Sequence, residues 1–379
     1  MRHLAASLLG LIALGACSAP PPQHAAVTTP SSLGSPSTIA SQAGTPGPSP
    51  VVSPSPDLPV TAVGFTCRLP VMFGQHEFEF TGGFISFPSA TYQADPNGVL
   101  SGSPDNTYTT KASPVLHGSG GWPFYDLAMR RWLPVPPGQT SPDGRSYAYI
   151  VPAAPGSNPT AVHVVQVATG ADHVISIGLP PGGVGWQLED FSGSAVLLAG
   201  QMADPFPAGV WRLDVASGSL HELTPSGHVL TVQNGTAWIG VNNPADPSPP
   251  VFQIGEAFDS IAAVNLSTGA QTTWMYEPGM SVQVSAVDEF GRLVAAVSAP
   301  PDFTATRIVF YQSPGSVGEV VTTNGFGLFL VEPDRGQLWF GSGQGIYFWT
   351  SVTGFKKVYA IQAETTRPGQ AIVPAGHCV

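Results

Sequence analysis

The chain is predicted to be all-β and built from repeated four-stranded units, on the strength of two interleaved series of turns and the lack of helical periodicity. In the first series an alternating apolar strand ends in a small turn closed by glycine, as in Val162 to Gly170, Val210 to Gly218 and Ile261 to Gly269. Looser copies run from Ile308 to Gly315 and from Tyr347 to Gly354, and a first, glycine-free copy runs from Phe124 to Trp132. The glycines at 170, 218, 269, 315 and 354 lie 48, 51, 46 and 39 residues apart. The second series is Asp143-Gly144, Ser192-Gly193, Asn234-Gly235, Phe290-Gly291 and Arg335-Gly336. Asn-Gly and Asp-Gly permit the positive φ angles that two-residue hairpin turns demand. No stretch longer than about a dozen residues follows the i, i+3, i+4 template of a helix. Two hairpins per repeat give four antiparallel strands, and such units at this spacing are blades of a β-propeller. Counting copies from Tyr125 to Gly354 gives six blades, with blade one built from the irregular stretch Phe65 to Pro136.

Residues 1–16 precede that architecture and have the layout of a secretory signal: Arg2 and His3, then an apolar run from Leu4 to Leu14, then small residues. About 11 apolar residues are too few to cross a bilayer, which needs roughly 20. The segment ends Leu14-Gly15-Ala16-Cys17, which resembles the lipobox of bacterial lipoproteins. The resemblance implies cleavage before Cys17, lipidation of its sulfur and acylation of the new amino terminus. It places the protein on the extracytoplasmic face of the cell membrane, with the membrane as a partner through the lipid on Cys17.

Residues 17–58 are expected to be a disordered tether. From Ser18 to Pro56 there is no Asp, Glu, Lys or Arg, and the stretch is dominated by Pro, Ser, Thr, Ala and Gly. Too little apolar side chain is present to offset the entropy of ordering it. In a polyproline-like state, at about 3.1 Å per residue, it reaches roughly 120 Å. Such a length suits a spacer that lifts a domain away from a membrane, and equally a low-complexity filler of unselected length.

The propeller domain is assigned to residues 59–379. Across the chain 44 glycines and 40 prolines favour turns, and only 10% of residues are charged. Lysine is confined to Lys111, Lys356 and Lys357, and the net charge is -11. Phosphate backbones would be repelled and no basic cluster exceeds two residues, which excludes nucleic acid as a partner. With Cys17 taken by lipid, Cys67 and Cys378 remain at opposite ends of the domain. In an oxidising compartment they are expected to pair, the alternative being two free thiols. The bond would close a loop of 311 residues, with a ceiling of roughly 5 to 6 kcal/mol in the chain-entropy model. It would also clasp the seam where Phe65 to Val71 meets Ala371 to Pro374, covering strand edges otherwise open to aggregation.

The run Thr140-Ser141-Pro142-Asp143-Gly144-Arg145 resembles the Ser-Pro-Asp-Gly turn of TolB-like propeller repeats, the WD40-like "PD40" type. Asp288-Glu289-Phe290-Gly291 and Pro333-Asp334-Arg335-Gly336 match it in part. The resemblance covers the fold of residues 65–378 and implies that each Asp is a turn residue rather than a catalytic acid. The resemblance does not extend to TolB's separate amino-terminal domain, so its role in envelope assembly is not implied.

Catalytic signals are weak. No Gly-x-Ser-x-Gly elbow occurs, and His76-Glu77-Phe78-Glu79 lacks the second His that would put two ligands on one helical face. His117-Gly118-Ser119-Gly120-Gly121 reads as a flexible loop. Asp95, Asn97, Asp105 and Asn106 offer calcium-friendly oxygens without EF-hand spacing, and turn chemistry accounts for them. Glu189-Asp190 and Asp288-Glu289 are paired carboxylates before inner turns; they could meet at one rim and bind a cation, or be solvated turn acids, which is the preferred reading. Trp122, Trp186, Trp211, Trp238, Trp274, Trp339 and Trp349 recur through the domain, more as packing than as a sugar platform.

No catalytic residue, metal ligand or cofactor is therefore assigned. The expected function is a non-catalytic binding or scaffolding module at the cell envelope, with a protein, peptide or glycan partner. The alternative is a propeller hydrolase or lactonase with a metal or acidic site at the central channel. Three or more acids or histidines converging on one axial point would favour that enzyme.

Overall fold

A computed structural model describes residues 58–75, 79–103, 107–151, 160–201, 207–242, 258–288, 290–299, 305–316, 319–322, 328–361 and 371–379. The signal segment, Cys17 and nearly all of the tether lie outside the described residues, as do His76, Glu77, Asp105, Asn106 and Glu289.

All the regular structure described is antiparallel β, apart from one 3-10 turn at Pro137–Gln139. The first strands are β1 (Cys67–Gln75), β2 (Glu79–Phe87) and β3 (Thr91–Gly102). Short pieces follow: β4 (Thr107–Thr110), β5 (His117–Ser119), β6 (Phe124–Asp126) and β7 (Arg131–Leu133). After the 3-10 turn come β8 (Ser146–Ile150), β9 (Thr160–Gln166) and β10 (Asp172–Ile177). A meander then runs through β11 (Gly185–Phe191), β12 (Ala195–Gln201), β13 (Pro207–Asp214) and the long β14 (Leu220–Gln233). It continues through β15 (Thr236–Val241), β16 (Ser260–Asn265) and β17 (Gln271–Tyr276). Next are β18 (Ser281–Val287), β19 (Leu293–Ser298), β20 (Ala305–Tyr311) and β21 (Glu319–Thr322). The last set is β22 (Leu328–Asp334), β23 (Gln337–Ser342), β24 (Gly345–Thr350), β25 (Gly354–Ala360) and β26 (Ile372–Pro374).

Both series of turns occur where their glycines place them. Gly170, Gly218, Gly269, Gly315 and Gly354 all have φ between 66° and 71°. At Asn234-Gly235 both residues are left-handed (51° and 72°), as are Arg335-Gly336 (51° and 77°), the backbone that a type I′ turn requires. The glycine-free copy is the β6–β7 hairpin, where Arg130 takes φ 49° in place of glycine.

Sheets pack face to face in series. Apolar residues of β8–β10 such as Val162 and Ile175 pack on Trp186, Val196 and Trp211 of the next sheet. Val210 of β13 meets Ile239 and Val264, Ile261 and Met275 meet Val297 and Tyr311, and Phe310 meets Phe340 and Trp349. The series then returns to its start, because Trp339 and Phe348 pack on Val71, Phe73 and Ile85 of β1 and β2.

The region before the 3-10 turn departs from expectation. The stretch Phe65 to Pro136, expected to form a single four-stranded blade, holds seven strands: β1–β5 pair in one sheet and β6–β7 form a separate hairpin. The reason is that β1 and β2 are apolar on both faces. Val71, Phe73 and Ile85 face β23–β25, while Met72 and Phe84 face Leu100, Tyr108 and Trp132. A second cluster, Leu116, Phe124 and Leu133 with Tyr147 and Val165, joins the short strands to β8 and β9. A sheet apolar on both sides must be covered on both, and on the Met72 and Phe84 side Tyr108 of β4 and Trp132 of the β6–β7 hairpin provide the cover.

The ends of the domain meet as the sequence led us to expect. Strand β26 pairs with β1 (Val71 with Pro374, Met72 with Val373, Phe73 with Ile372) and touches β23 at Ser342. Beyond it, Arg68 and Val379 exchange backbone hydrogen bonds of 2.7 and 3.1 Å. Cys67 and Cys378 are joined in a disulfide with Cα atoms 5.6 Å apart. Gly341 lets β23 approach this closure: a Cβ there would lie 2.4 Å from Ile372 O and 2.7 Å from Val373 Cα. Backbone atoms cannot yield as a flexible side chain can. Gly341→Ala is expected to cost about 2–4 kcal/mol, read as a lower denaturation midpoint; an unchanged midpoint would show that β26 is not held against β23.

Candidate functional site

Strands β11, β14, β18, β22 and β26 neighbour one another in that order; the first four, with His377 just beyond β26, border a cavity of about 1240 Å³. Its wall also includes Ser119 to Gly121, the 3-10 turn with Thr140, and Thr160. Three of these strands carry a β-bulge as they pass the cavity. The extra residue is Glu189 between Leu188 and Asp190, Leu230 between Val229 and Thr231, and Ser285 between Val284 and Ala286. A bulge re-aims side chains that strict alternation would turn into the sheet packing, and all three residues line the cavity.

Glu189 is the most unusual of them. Some of its surface faces the cavity, but its carboxyl lies deep in the wall, where Oε1 is buried and meets no hydrogen-bond donor among the described residues. Burial pushes its pKa up to about 8; the Asp190 charge adds to the rise and a hydrogen bond from the Val232 backbone N–H opposes it. Asp190 is raised to about 6, again by burial, against a hydrogen bond from the Phe191 N–H. Near pH 7 one acid is therefore mostly neutral and its neighbour mostly ionised. Across the cavity Glu332 faces His377, with Oε1 and Nε2 3.4 Å apart. No Lys or Arg lines the cavity among the described residues. Two further wall atoms, Thr140 Oγ1 and Thr160 Oγ1, are buried with no hydrogen-bond partner among the described residues.

The two carboxylate pairs read from the sequence differ sharply. Asp288 is 1% exposed and braces its own turn: its Oδ1 accepts from the Phe290 and Arg292 N–H groups at 3.0 and 2.8 Å, and its Oδ2 from Arg292 Nε at 2.6 Å. Asp143 does likewise; the Arg145 N–H and then the Ser141 hydroxyl hold its pKa below the usual range. Asp334 Oδ2 accepts from Trp339 Nε1 at 3.3 Å and from the Cys378 N–H at 2.9 Å. These turn acids have the structural role that the repeat resemblance implies. Glu189 and Asp190 do not, and the preferred reading of them as solvated turn acids is corrected: they end an inner strand, one of them on its bulge.

Other candidates are accounted for by packing. Asp95 Oδ1 accepts from the Asn97 N–H at 2.9 Å and Oδ2 from Trp132 Nε1 at 3.0 Å, which is turn chemistry plus a brace. His117 to Ser119 form strand β5 rather than the loop expected, with His117 Nδ1 3.1 Å from Thr109 Oγ1. The tryptophans pack mainly on other rings: Trp186 on Trp211 (centroids 5.1 Å apart), Trp238 on Trp274 (4.9 Å) and Trp339 on Phe348 (4.5 Å). Trp186 also borders the cavity.

No family model and no curated protein matches the chain. Among solved structures it is similar to the β-propeller domain of the Trilobed protease from Pyrococcus furiosus, at 13% identity and a TM-score of 0.43, covering 78% of this chain and 86% of that one. An oligogalacturonate lyase in complex with manganese is similar at 12% identity and a TM-score of 0.43, covering 79% and 81%. The Pyrococcus horikoshii acylaminoacyl peptidase is similar at 11% and 0.41, covering 78% of this chain and 46% of its own. At such identities and TM-scores none of the activities in these names transfers to this chain.

Proposed function

We propose that the chain is a lipid-anchored, extracytoplasmic β-propeller that binds a ligand in its central cavity without transforming it. The propeller reading draws on the serial packing of the antiparallel sheets, whose last set, β22–β25, packs back on β1 and β2, and on the repeated glycine-ended turns; six four-stranded blades is the reading the turn spacing favours. The anchor reading draws on Leu14-Gly15-Ala16-Cys17 and the uncharged tether behind it. Binding is carried by one observation: inner strands present bulged residues to a common cavity where a buried carboxylate oxygen has no partner among the described residues. Such an atom costs about 1–3 kcal/mol or more unless something bonds to it, and a ligand is the natural occupant of a cavity this size.

Two experiments test this. In the native envelope, Cys17→Ala should move the protein from the membrane to the soluble fraction; retention in the membrane would remove the anchor. Full-length protein carrying Cys17→Ala can then be screened by thermal shift against cationic, anionic, sugar and peptide probes. One class should raise the melting temperature, and Ser285→Trp, which fills the cavity from a bulge, should abolish that rise. No shift with any class, or a shift indifferent to Ser285→Trp, would overturn the central site.

An enzymatic reading is favoured by one fact, the split in pKa between neighbouring Glu189 and Asp190, since an acid and a base with separated pKa values are what general acid–base chemistry needs. Hydrolysis of an ester or lactone probe that Asp190→Asn eliminates would establish it in place of simple binding.

A further inference from the structure

The polar groups left unsatisfied in the cavity narrow the kind of ligand, and the inference rests on the binding reading. Once a bound cation holds Glu189 in its ionised form, its oxygens can only accept, so the unpartnered Oε1 then calls for a donor. Among the described residues the titratable groups on the wall are three acids, Glu189, Asp190 and Glu332, and one histidine, His377. With no Lys or Arg among the described lining residues and a chain charge of -11, the site and the field around it both favour a cation.

We propose that the cavity takes an organic ammonium ligand, an aliphatic amine with its positive groups spaced along the chain, seated with one ammonium at Glu189 Oε1. The N–H donor restores the bond that Oε1 lacks, as a charge-assisted bond of the stronger kind. Thr140 Oγ1 and Thr160 Oγ1, also without partners among the described residues, can accept from further N–H groups. A single metal ion fits less well: among the described residues no three of His, Cys, Asp and Glu stand close enough to hold one. Acids spread around a space of about 1240 Å³ suit charges separated along a molecule. An anion would meet carboxylates on several sides. A neutral sugar would satisfy the hydroxyls but leave the acids without a counter-charge.

The test is isothermal titration of 1,5-diaminopentane into full-length protein carrying Cys17→Ala, with 1,5-pentanediol as the uncharged probe of the same length. The diamine should bind and the diol should not. Glu189→Gln, nearly isosteric, should weaken the diamine at least tenfold. Should that variant fail to fold, Glu189→Asp, which withdraws the carboxylate by one methylene, should weaken it as well. Equal binding of the diol, or diamine binding unmoved in the folded Glu189 variants, overturns the inference. Failure of the diamine while an anionic or sugar probe binds, and is blocked by Ser285→Trp, overturns the ammonium ligand but leaves the binding site standing. Failure of every probe class overturns both.

Discussion

Glu189→Gln should stabilise the protein at pH 9 by on the order of 5 kcal/mol and have almost no effect at pH 4. The carboxyl has a pKa of about 8 in the fold, against an ordinary value of 4.5, because burial disfavours its charged form. Since the folded value is the higher one, the neutral acid is what the fold accommodates. Below about pH 4.5 it is neutral in both folded and unfolded chains and costs nothing. Between pH 4.5 and 8 the unfolded chain ionises while the fold resists, and stability drains away; above 8 the loss is complete. A difference of one pKa unit between the folded and unfolded chains is worth about 1.36 kcal/mol, which gives that magnitude and roughly 7 °C in melting temperature for a domain of this size. Glutamine cannot ionise, so its melting curve should lack this component. Paired thermal scans of wild type and variant across pH 4 to 9 isolate the effect, because every other titrating group is common to both. A constant difference across that range would place Glu189 in water rather than in the wall. Asp190→Asn should lower the pKa of Glu189, since the Asp190 charge contributes to its rise. The loss should still begin near pH 4.5, where the unfolded chain ionises, but end at lower pH and be smaller in total.

Removing the disulfide by Cys67→Ala with Cys378→Ala should cost about 2–5 kcal/mol. The bond closes 311 residues, so most of its effect is entropic: it removes the freedom of the unfolded ends to separate. Short of the full chain-entropy value, the loss should still be the largest from any pair of surface-proximal residues. The reason is position, since the bond stands beside the Arg68–Val379 backbone pair and the Asp334–Cys378 hydrogen bond. Together they tie the chain end beyond β26 to β1 and β22. Guanidinium denaturation of wild type with and without reductant, compared with the double variant, measures it. A reduced wild type that matches the double variant, both well below the oxidised protein, is the expected result. Coincident curves for all three would mean that strand pairing alone secures the seam.

The sequence announces the turns because glycine and asparagine are the residues that tolerate a left-handed backbone. Hence both series, Gly170 to Gly354 and Gly144 to Gly336, could be placed to the residue, and the strands between them followed. The pairing of Cys67 with Cys378 was legible for a similar reason: two thiols at the ends of a repeating domain have one arrangement that closes it. Less legible was the region from Phe65 to Pro136. Its short strands lack the glycine-ended turn, and the φ of 49° at Arg130 has no compositional marker. The cavity acids were visible as residues but not in role. Glu189-Asp190 and Asp288-Glu289 look alike as letters, and what separates them is a bulge in β11 and an Arg four residues after Asp288. A bulge is a matter of register between two strands and leaves no trace in one strand's residues. The clue that did exist is Arg292, a partner in the second pair with no equivalent after Glu189-Asp190.

The placement of β26 also sets an order of events in the life of the molecule. Its residues, 372 to 374, are separated from their partners on β1 by about three hundred positions, so this pairing cannot form until residues 372–374 have been made. Until then β1 has an uncovered edge and β23 lacks its last neighbour. The intervening hairpins, whose contacts are local, can assemble first, whereas joining the ends is a long-range step that waits on the rest. A nascent or partly delivered chain is therefore held open, and proteolysis in that interval should cut it far more readily than the finished protein. Shortening the chain to end before Ile372 would prolong that interval indefinitely, even though it removes only eight residues.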